Sequence, residues 1–176
     1  MLESPAFIGS VPELNEKDRI FRCAGEDNKE AIKTFVILGR VRSGKTTRLL
    51  HLIDRISALG LRVGGICQPE DNGVYFAQDL ETSERRWIAR RENDTVFFNP
   101  ETFDWAAQKI IRARASCDVL AIDEIGRLEG LGKGHLPALL QPVDKESAFL
   151  RILAVREDAF TAACRFLPAL SGVIRV

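Results

Sequence analysis

Five nearly unbroken apolar runs punctuate the chain: "KTFVILG", "LRVGGICQ", "CDVLAIDE", "FLRILAV" and "GVIRV". Runs of this length suit strands buried on both faces, as in a parallel sheet. Between them the period changes. In "RLLHLIDRISALG", Leu49, Leu52, Ile53, Ile56 and Leu59 recur at three- and four-residue steps, and Gly60 stands where a left-handed helix cap belongs. "PETFDWAAQKIIRARAS" opens with proline at a helix start and sets Phe103, Ala106, Ala107, Ile110 and Ile111 on one side. "GHLPALLQPVDKES" predicts a short helix broken near Pro142, and "EDAFTAACRFL" a helix before the final run. "DNGVYFAQDL" and "RRWIARR" alternate apolar and polar residues around the turn "ETSE", the pattern of an antiparallel hairpin, and "DTVFFN" reads as one more strand.

Strands alternating with helices imply right-handed crossovers and a sheet covered on both faces. The expected fold is therefore α/β, a three-layer sandwich whose mostly parallel sheet carries an inserted antiparallel hairpin. Residues 1–32 stand apart. They hold Pro5, Pro12 and the polar cluster "GEDNKE", and only "RIFRCAG" reads as a short strand. They are expected to form an N-terminal extension, packed on the domain or partly loose, ahead of a domain spanning 33–176.

Composition narrows the classes. The chain has 176 residues, 45% of them hydrophobic, enough for one domain with a substantial core. Twenty-five basic residues balance 25 acidic ones, so no long-range field draws nucleic acid or an anionic membrane, and any anion site is local. Cys23, Cys67, Cys117 and Cys164 are dispersed, with no C-x-x-C pair. That pattern predicts reduced thiols rather than a disulfide framework or a zinc site. With no signal-peptide pattern and no apolar run near ~18 residues, a soluble cytoplasmic protein is expected.

One stretch carries explicit chemistry. After "FVILG" the chain reads "GRVRSGKTT", and Gly39, Gly44, Lys45 and Thr46 spell G-x-x-x-x-G-K-T between an expected strand and an expected helix. Glycines let the backbone turn tightly and bring successive N–H groups to phosphate oxygens, and the helix adds the positive end of its dipole. Gly39, Arg40, Val41, Arg42, Ser43, Gly44, Lys45, Thr46 and Thr47 are accordingly expected to bind the nucleotide phosphates. Lys45 reaches the β- and γ-phosphates and the Thr46 hydroxyl ligates Mg²⁺. The side chains of Arg40 and Arg42 either add charge near the phosphates or point to solvent.

A second element follows some eighty residues on. In "VLAIDE" apolar residues deliver Asp123 and Glu124 to a strand end, the edge of an α/β sheet where ligands bind. Asp123 is expected to hold Mg²⁺ with Thr46, and Glu124 to orient or deprotonate water for attack on the γ-phosphate.

Taken in order, "GRVRSGKTT", "GLRVGGICQPE" with its hairpin "DNGVYFAQDLETSERRWIAR", "NPETFDWA" and "VLAIDEIGRLE" resemble the small P-loop nucleoside-triphosphatases of the THEP type over roughly residues 35–130. The resemblance implies a P-loop NTPase fold and slow, Mg²⁺-dependent hydrolysis of ATP, GTP and other nucleoside triphosphates, with weak base preference. It also implies a cross between nucleotide kinases and RecA-like ATPases. This chain departs from the pattern in its extension before Lys33 and in "QPE", where Gln68 replaces the usual threonine.

Other residues have two readings. Glu70 and Glu129 either line the phosphate or water pocket, as the resemblance suggests, or are solvated loop residues. Arg156, after "FLRILAV", emerges on the Asp123 edge, as a γ-phosphate guanidinium or a surface arginine. Arg85, Arg86, Arg90 and Arg91 flank Trp87 in a pattern that can bind single-stranded nucleic acid, but packing of Trp87 and Ile88 explains it more simply, so no nucleic acid or membrane partner is expected. Arg112 and Arg114 sit in the last helical turn, where they complement the dipole. Neither His51 nor His135 has a companion that would make a metal site other than that for Mg²⁺. Two rivals to hydrolysis stay open: a small-molecule kinase with the hairpin as acceptor pocket, and a nucleotide switch using "EGLGKGH" as a mobile segment.

Overall fold

The apolar runs become strands because each buries both faces at once. In β1 (Lys33–Gly39) Val36 and Leu38 face one core, Phe35 and Ile37 the other, and none exceeds 2% exposure, the two-residue alternation of a pleated strand. The computed structural model describes Arg19, Ile20, Cys23, residues 32–167 and residues 170–176.

The further strands are β2 (Val63–Cys67), β3 (Glu70–Asp71), β4 (Val74–Asp79), β5 (Arg85–Glu92), β6 (Thr95–Phe98), β7 (Val119–Ile125), β8 (Leu150–Arg156) and β9 (Gly172–Arg175). The helices are α1 (Lys45–Ser57), α2 (Pro100–Ser116), α3 (Arg127–Gly130), α4 (Leu136–Leu140) and α5 (Phe160–Ala163). One nine-stranded sheet runs β6–β5–β4–β2–β7–β8–β1–β9, with β3 on β4. From β2 to β9 every pairing is parallel, and from β2 to β6 antiparallel. α1 covers one face through Leu49, Leu52 and Ile56, and α2 with α4 covers the other through Ala106, Ile110, Leu136 and Leu139. The expected three-layer α/β sandwich is formed, and its antiparallel part is a wing of four strands rather than one hairpin.

β8 lies between β1 and β7, so three strand ends bring the phosphate loop, the acidic pair and Arg156 side by side on one sheet edge.

Several local expectations change. Leu59 is 57% exposed, because α1 ends at Ser57 before the stripe reaches it. "EDAFTAACRFL" shortens to a 3-10 turn, Glu157–Ala159, and the single turn α5. Ala159 and Ala163 are the buried residues of these two turns, little apolar area to sustain a helix. In "RIFRCAG" the described residues are helical, not extended. Ile20 and Cys23, three apart, share a helix face packed into the core that holds Phe35 and Ile37. Among the described residues no helix is long and apolar enough to cross a membrane.

Candidate active site

β1 ends at Gly39, and the chain turns through Arg40–Ser43 into α1. Gly44 caps that helix with φ +93°, a left-handed conformation that disfavours any side chain. No side chain caps the helix, so its first N–H groups and dipole face the loop's interior as a phosphate cradle. Lys45 is 5% exposed, and its Nζ donates to the Arg40 carbonyl at 2.7 Å, which folds the ammonium back over the loop. Arg40 and Arg42 point outward, paired with Glu157 at 3.3 Å and Glu70 at 3.0 Å. The guanidinium groups of these two positions therefore face away from the loop's interior. The same contact ties Glu70 to the loop's rim.

β7 delivers the acidic pair. Asp123 is 1% exposed, and its Oδ2 accepts the Thr46 hydroxyl at 2.8 Å and the Gln68 backbone N–H at 3.1 Å. Its Oδ1 is buried with no partner. Burial raises this carboxyl above the ordinary range, against the hydrogen bonds from Thr46 and Gln68 and the charge of Lys45. A buried carboxylate with one free oxygen beside a hydroxyl is the hard oxygen set that Mg²⁺ prefers, so the residues fit that ion. Among the described residues no group of three or more His, Cys, Asp or Glu could hold a metal.

Glu124 departs from the strand. Its φ is +65°, and the β7–β8 register slips between Ile122 and Ile125. This is a bulge that re-aims one side chain, and left-handed strain in a non-glycine residue costs about 1–3 kcal/mol. The carboxylate thereby leaves the alternating faces and comes within 3.9 Å of the Arg156 guanidinium. Burial raises its pKa; Lys45 and Arg156 oppose the rise, and Asp123 and Glu129 add to it. Arg156 is held in turn by Asp158, at 3.1 and 2.7 Å. Asp158 also takes Arg127 at 3.2 Å. Orientation of Arg156 by Asp158 escapes sequence reasoning, although a carboxylate two residues after an arginine is its trace.

Beside the loop a groove of about 510 Å³ runs between Ser43, Gly44, Thr47, Arg48 and His51 on one wall and Arg175 and Val176 on the other. His51 therefore lines this groove rather than a metal site. Cys67 is a packed thiol: burial, then the Asp123 charge, pushes it up to about 11.

Other candidates lie elsewhere. Glu129 is not a solvated loop residue. It is 3% exposed, and its two oxygens accept backbone N–H groups from Gly126 at 2.7 Å and His135 at 2.8 Å. "EGLGKGH" is thus pinned at both ends, unlike a mobile switch segment. The wing is bound to the body, with Asp79, 1% exposed, paired to Lys109 of α2 at 2.8 Å. Arg85, Arg86, Arg90 and Arg91 stay on that wing. Ile88 is buried as expected, whereas Trp87 is 37% exposed. Arg114 is a buried clamp on Glu146, Ala138 and Gln141 rather than an exposed dipole partner.

His135 is 1% exposed, and burial pushes its imidazole from 6.5 down to about 4. The unfolded chain therefore binds about one more proton than the folded chain between those values, so stability is lost as the pH is lowered across that window. The expected loss from this residue is about 3 kcal/mol by pH 4. Denaturant titrations from pH 7 to 4 check it: His135→Phe should flatten the slope, and an unchanged slope would contradict the assignment.

Comparisons with known proteins bear on the family and the architecture. A nucleoside-triphosphatase THEP1 from Korarchaeum cryptofilum is 34% identical over 114 residues, 58% of each chain. One from Thermofilum pendens is 28% identical over 141 residues, 73% of this chain and 78% of its own. One from Saccharolobus solfataricus is 34% identical over 115 residues, 59% and 65%. The chain thus spans 58% of the length of the first of these relatives. Among solved structures, a human cancer-related nucleoside triphosphatase superposes with TM-score 0.63 at 19% identity over 83% of this chain and 89% of its own. THEP1 from Aquifex aeolicus gives 0.58 at 17% over 81% and 88%, so the architecture is shared. The family described as NTPase matches residues 34–170, the stretch that contains the loop, the acidic pair and Arg156, and the chain belongs to that family.

Proposed function

We propose that this chain hydrolyses nucleoside 5′-triphosphates to the diphosphate and phosphate, with Mg²⁺ and little preference among bases. The observation that carries the reading is Glu124, turned out of β7 by a bulge to stand beside Asp123 and 3.9 Å from Arg156. Backbone N–H groups of residues 39–47 and Lys45 bind the phosphates. Thr46 and Asp123 would hold Mg²⁺, which when bound would neutralise phosphate charge. Glu124 accepts a proton from water as it attacks the γ-phosphorus in line, and the diphosphate leaves. Its raised pKa makes it a stronger base than an ordinary carboxylate. Arg156 offers its guanidinium to the charge on the transferring group.

The groove beside α1, lined by Ser43, Thr47, Arg48, His51 and Arg175 among others, receives the nucleoside. The names of the THEP1 relatives support hydrolysis. Against a kinase, the wing extends the sheet and ties to α2 instead of opening an acceptor pocket. In this reading 33–176 is the catalytic domain and 1–32 an extension, and free thiols support a reducing, cytoplasmic location. The fate of γ-labelled phosphate tests it. Free phosphate should match diphosphate one to one, with or without added nucleosides, and transfer to an acceptor would overturn it.

A further inference from the structure

Glu129 is a buried carboxylate like Asp123, yet the hydrolysis scheme does not use it. Both of its oxygens are taken by backbone donors, Gly126 N–H on Oε2 and His135 N–H on Oε1, so it closes the loop that leaves β7 back on itself. A water-activating base needs a free oxygen toward the substrate, and Glu129 has both engaged.

The two donors lead to the two acidic residues of the site. Gly126 lies two residues after Glu124. A Cβ at Gly126 would sit 3.3 Å from Arg156 Cδ and 3.6 Å from Glu124 Oε1, so this backbone forms the wall against which the Glu124–Arg156 pair rests. On the other side, the His135 ring is buried against Phe103, with centroids 5.6 Å apart. Its Nε2 lies 2.6 Å from the Gln68 amide nitrogen. That nitrogen only donates, so the neutral imidazole accepts. Gln68 in turn gives its backbone N–H to Asp123 Oδ2. Gly134 completes the fit. Its φ is +64°, and a Cβ there would overlap Glu129 Oε1, so the carboxylate occupies the space a side chain would need.

We infer that Glu129 is a positioning residue. It holds Gly126 so that Glu124 keeps its bulged, left-handed placement beside Arg156, and it holds His135 so that Gln68 keeps its N–H on Asp123. Gln68 is the link that joins the clamp to Asp123. The inference rests on the hydrolysis reading, because it assigns Glu124 and Asp123 their roles.

The test compares Glu129→Gln, Gln68→Ala and Glu124→Gln with the parent chain. A glutamine at 129 accepts one N–H and turns its own NH₂ on the other, so the clamp opens on one side. Glu129→Gln should lower kcat about 10- to 100-fold, the range for groups that orient catalytic ligands. KM and the equilibrium affinity for a fluorescent ATP analogue should stay unchanged. Gln68→Ala should raise the Mn²⁺ concentration for half-saturation about 10-fold, the lower end of the outer-shell range, read directly by electron paramagnetic resonance.

A purely structural Glu129 would lower the melting temperature and the active fraction but leave kcat per folded molecule intact, and that result overturns the inference. If Glu129→Gln does not fold, Gln68→Ala decides: unchanged Mn²⁺ binding overturns it. Glu124→Gln separates the two levels. Turnover that survives this change defeats the assignment of Glu124 as the base, on which the inference rests, whereas turnover lost here but kept in Glu129→Gln defeats the positioning role alone.

Discussion

Glu124→Gln is expected to cut turnover by about two to four orders of magnitude, the usual contribution of a positioned base, while nucleotide affinity persists. The amide keeps the size of the carboxylate and can still take a hydrogen bond, so the bulge at Ile122–Ile125 and the neighbouring Arg156 stay in place. What disappears is the capacity to accept water's proton. Phosphate binding sits elsewhere, on the loop N–H groups and Lys45, and Asp123 keeps its bonds from Thr46 and Gln68. Steady-state phosphate release together with equilibrium binding of a fluorescent nucleotide checks both halves. Unchanged turnover would remove Glu124 from the reaction.

Lys45→Ala is expected to lower kcat/KM by about 10²–10³, as for loss of one preorganised group that meets transition-state charge. Lys45 is buried in the loop and donates to the Arg40 carbonyl, so its ammonium is held in place rather than free to swing. Arg40 and Arg42 cannot substitute, since their side chains face outward to Glu157 and Glu70. Lys45→Arg should not restore the rate, because a planar fork does not reproduce a compact point charge at the same spot. Pre-steady-state binding and turnover measured on both variants decide the matter. A loss confined to thermal stability would contradict the assignment.

The parts of this molecule legible in the sequence are those where chemistry dictates residue type at fixed spacing. Gly39, Gly44, Lys45 and Thr46 can do one thing well in that order, and the apolar run before Asp123 and Glu124 predicts where they emerge. The hydrogen bond from Thr46 to Asp123, 77 residues apart in sequence, follows from those two facts and a parallel sheet. Less was readable where a residue's role depends on a distant partner. Glu129 has the composition of a solvated loop residue until Gly126 and His135 close over it. Arg114 looks like a dipole partner until Glu146 and two carbonyls surround it. The left-handed placement of Glu124 comes from the slipped pairing of β7 with β8, a relation between two segments that neither one displays alone. "RIFRCAG" illustrates another limit: in so short a run, a two-residue and a three-residue period both match, and contact with Phe35 and Ile37 selects the helix.

Glu124 also links the fold to the reaction class. Placing β8 between β1 and β7 sets Arg156 at the centre of the sheet edge, where one guanidinium faces the base and the loop flanks it. A phosphate loop alone binds; on the proposed reading this arrangement adds a base, a guanidinium and a cation site beside it.

The most direct measurement is phosphate release from ATP, GTP, CTP and UTP, each with and without Mg²⁺. The account predicts that all four are hydrolysed at comparable rates when Mg²⁺ is present and that release stops when it is chelated. Phosphate release from none of them, or release unaffected by chelation, would contradict it.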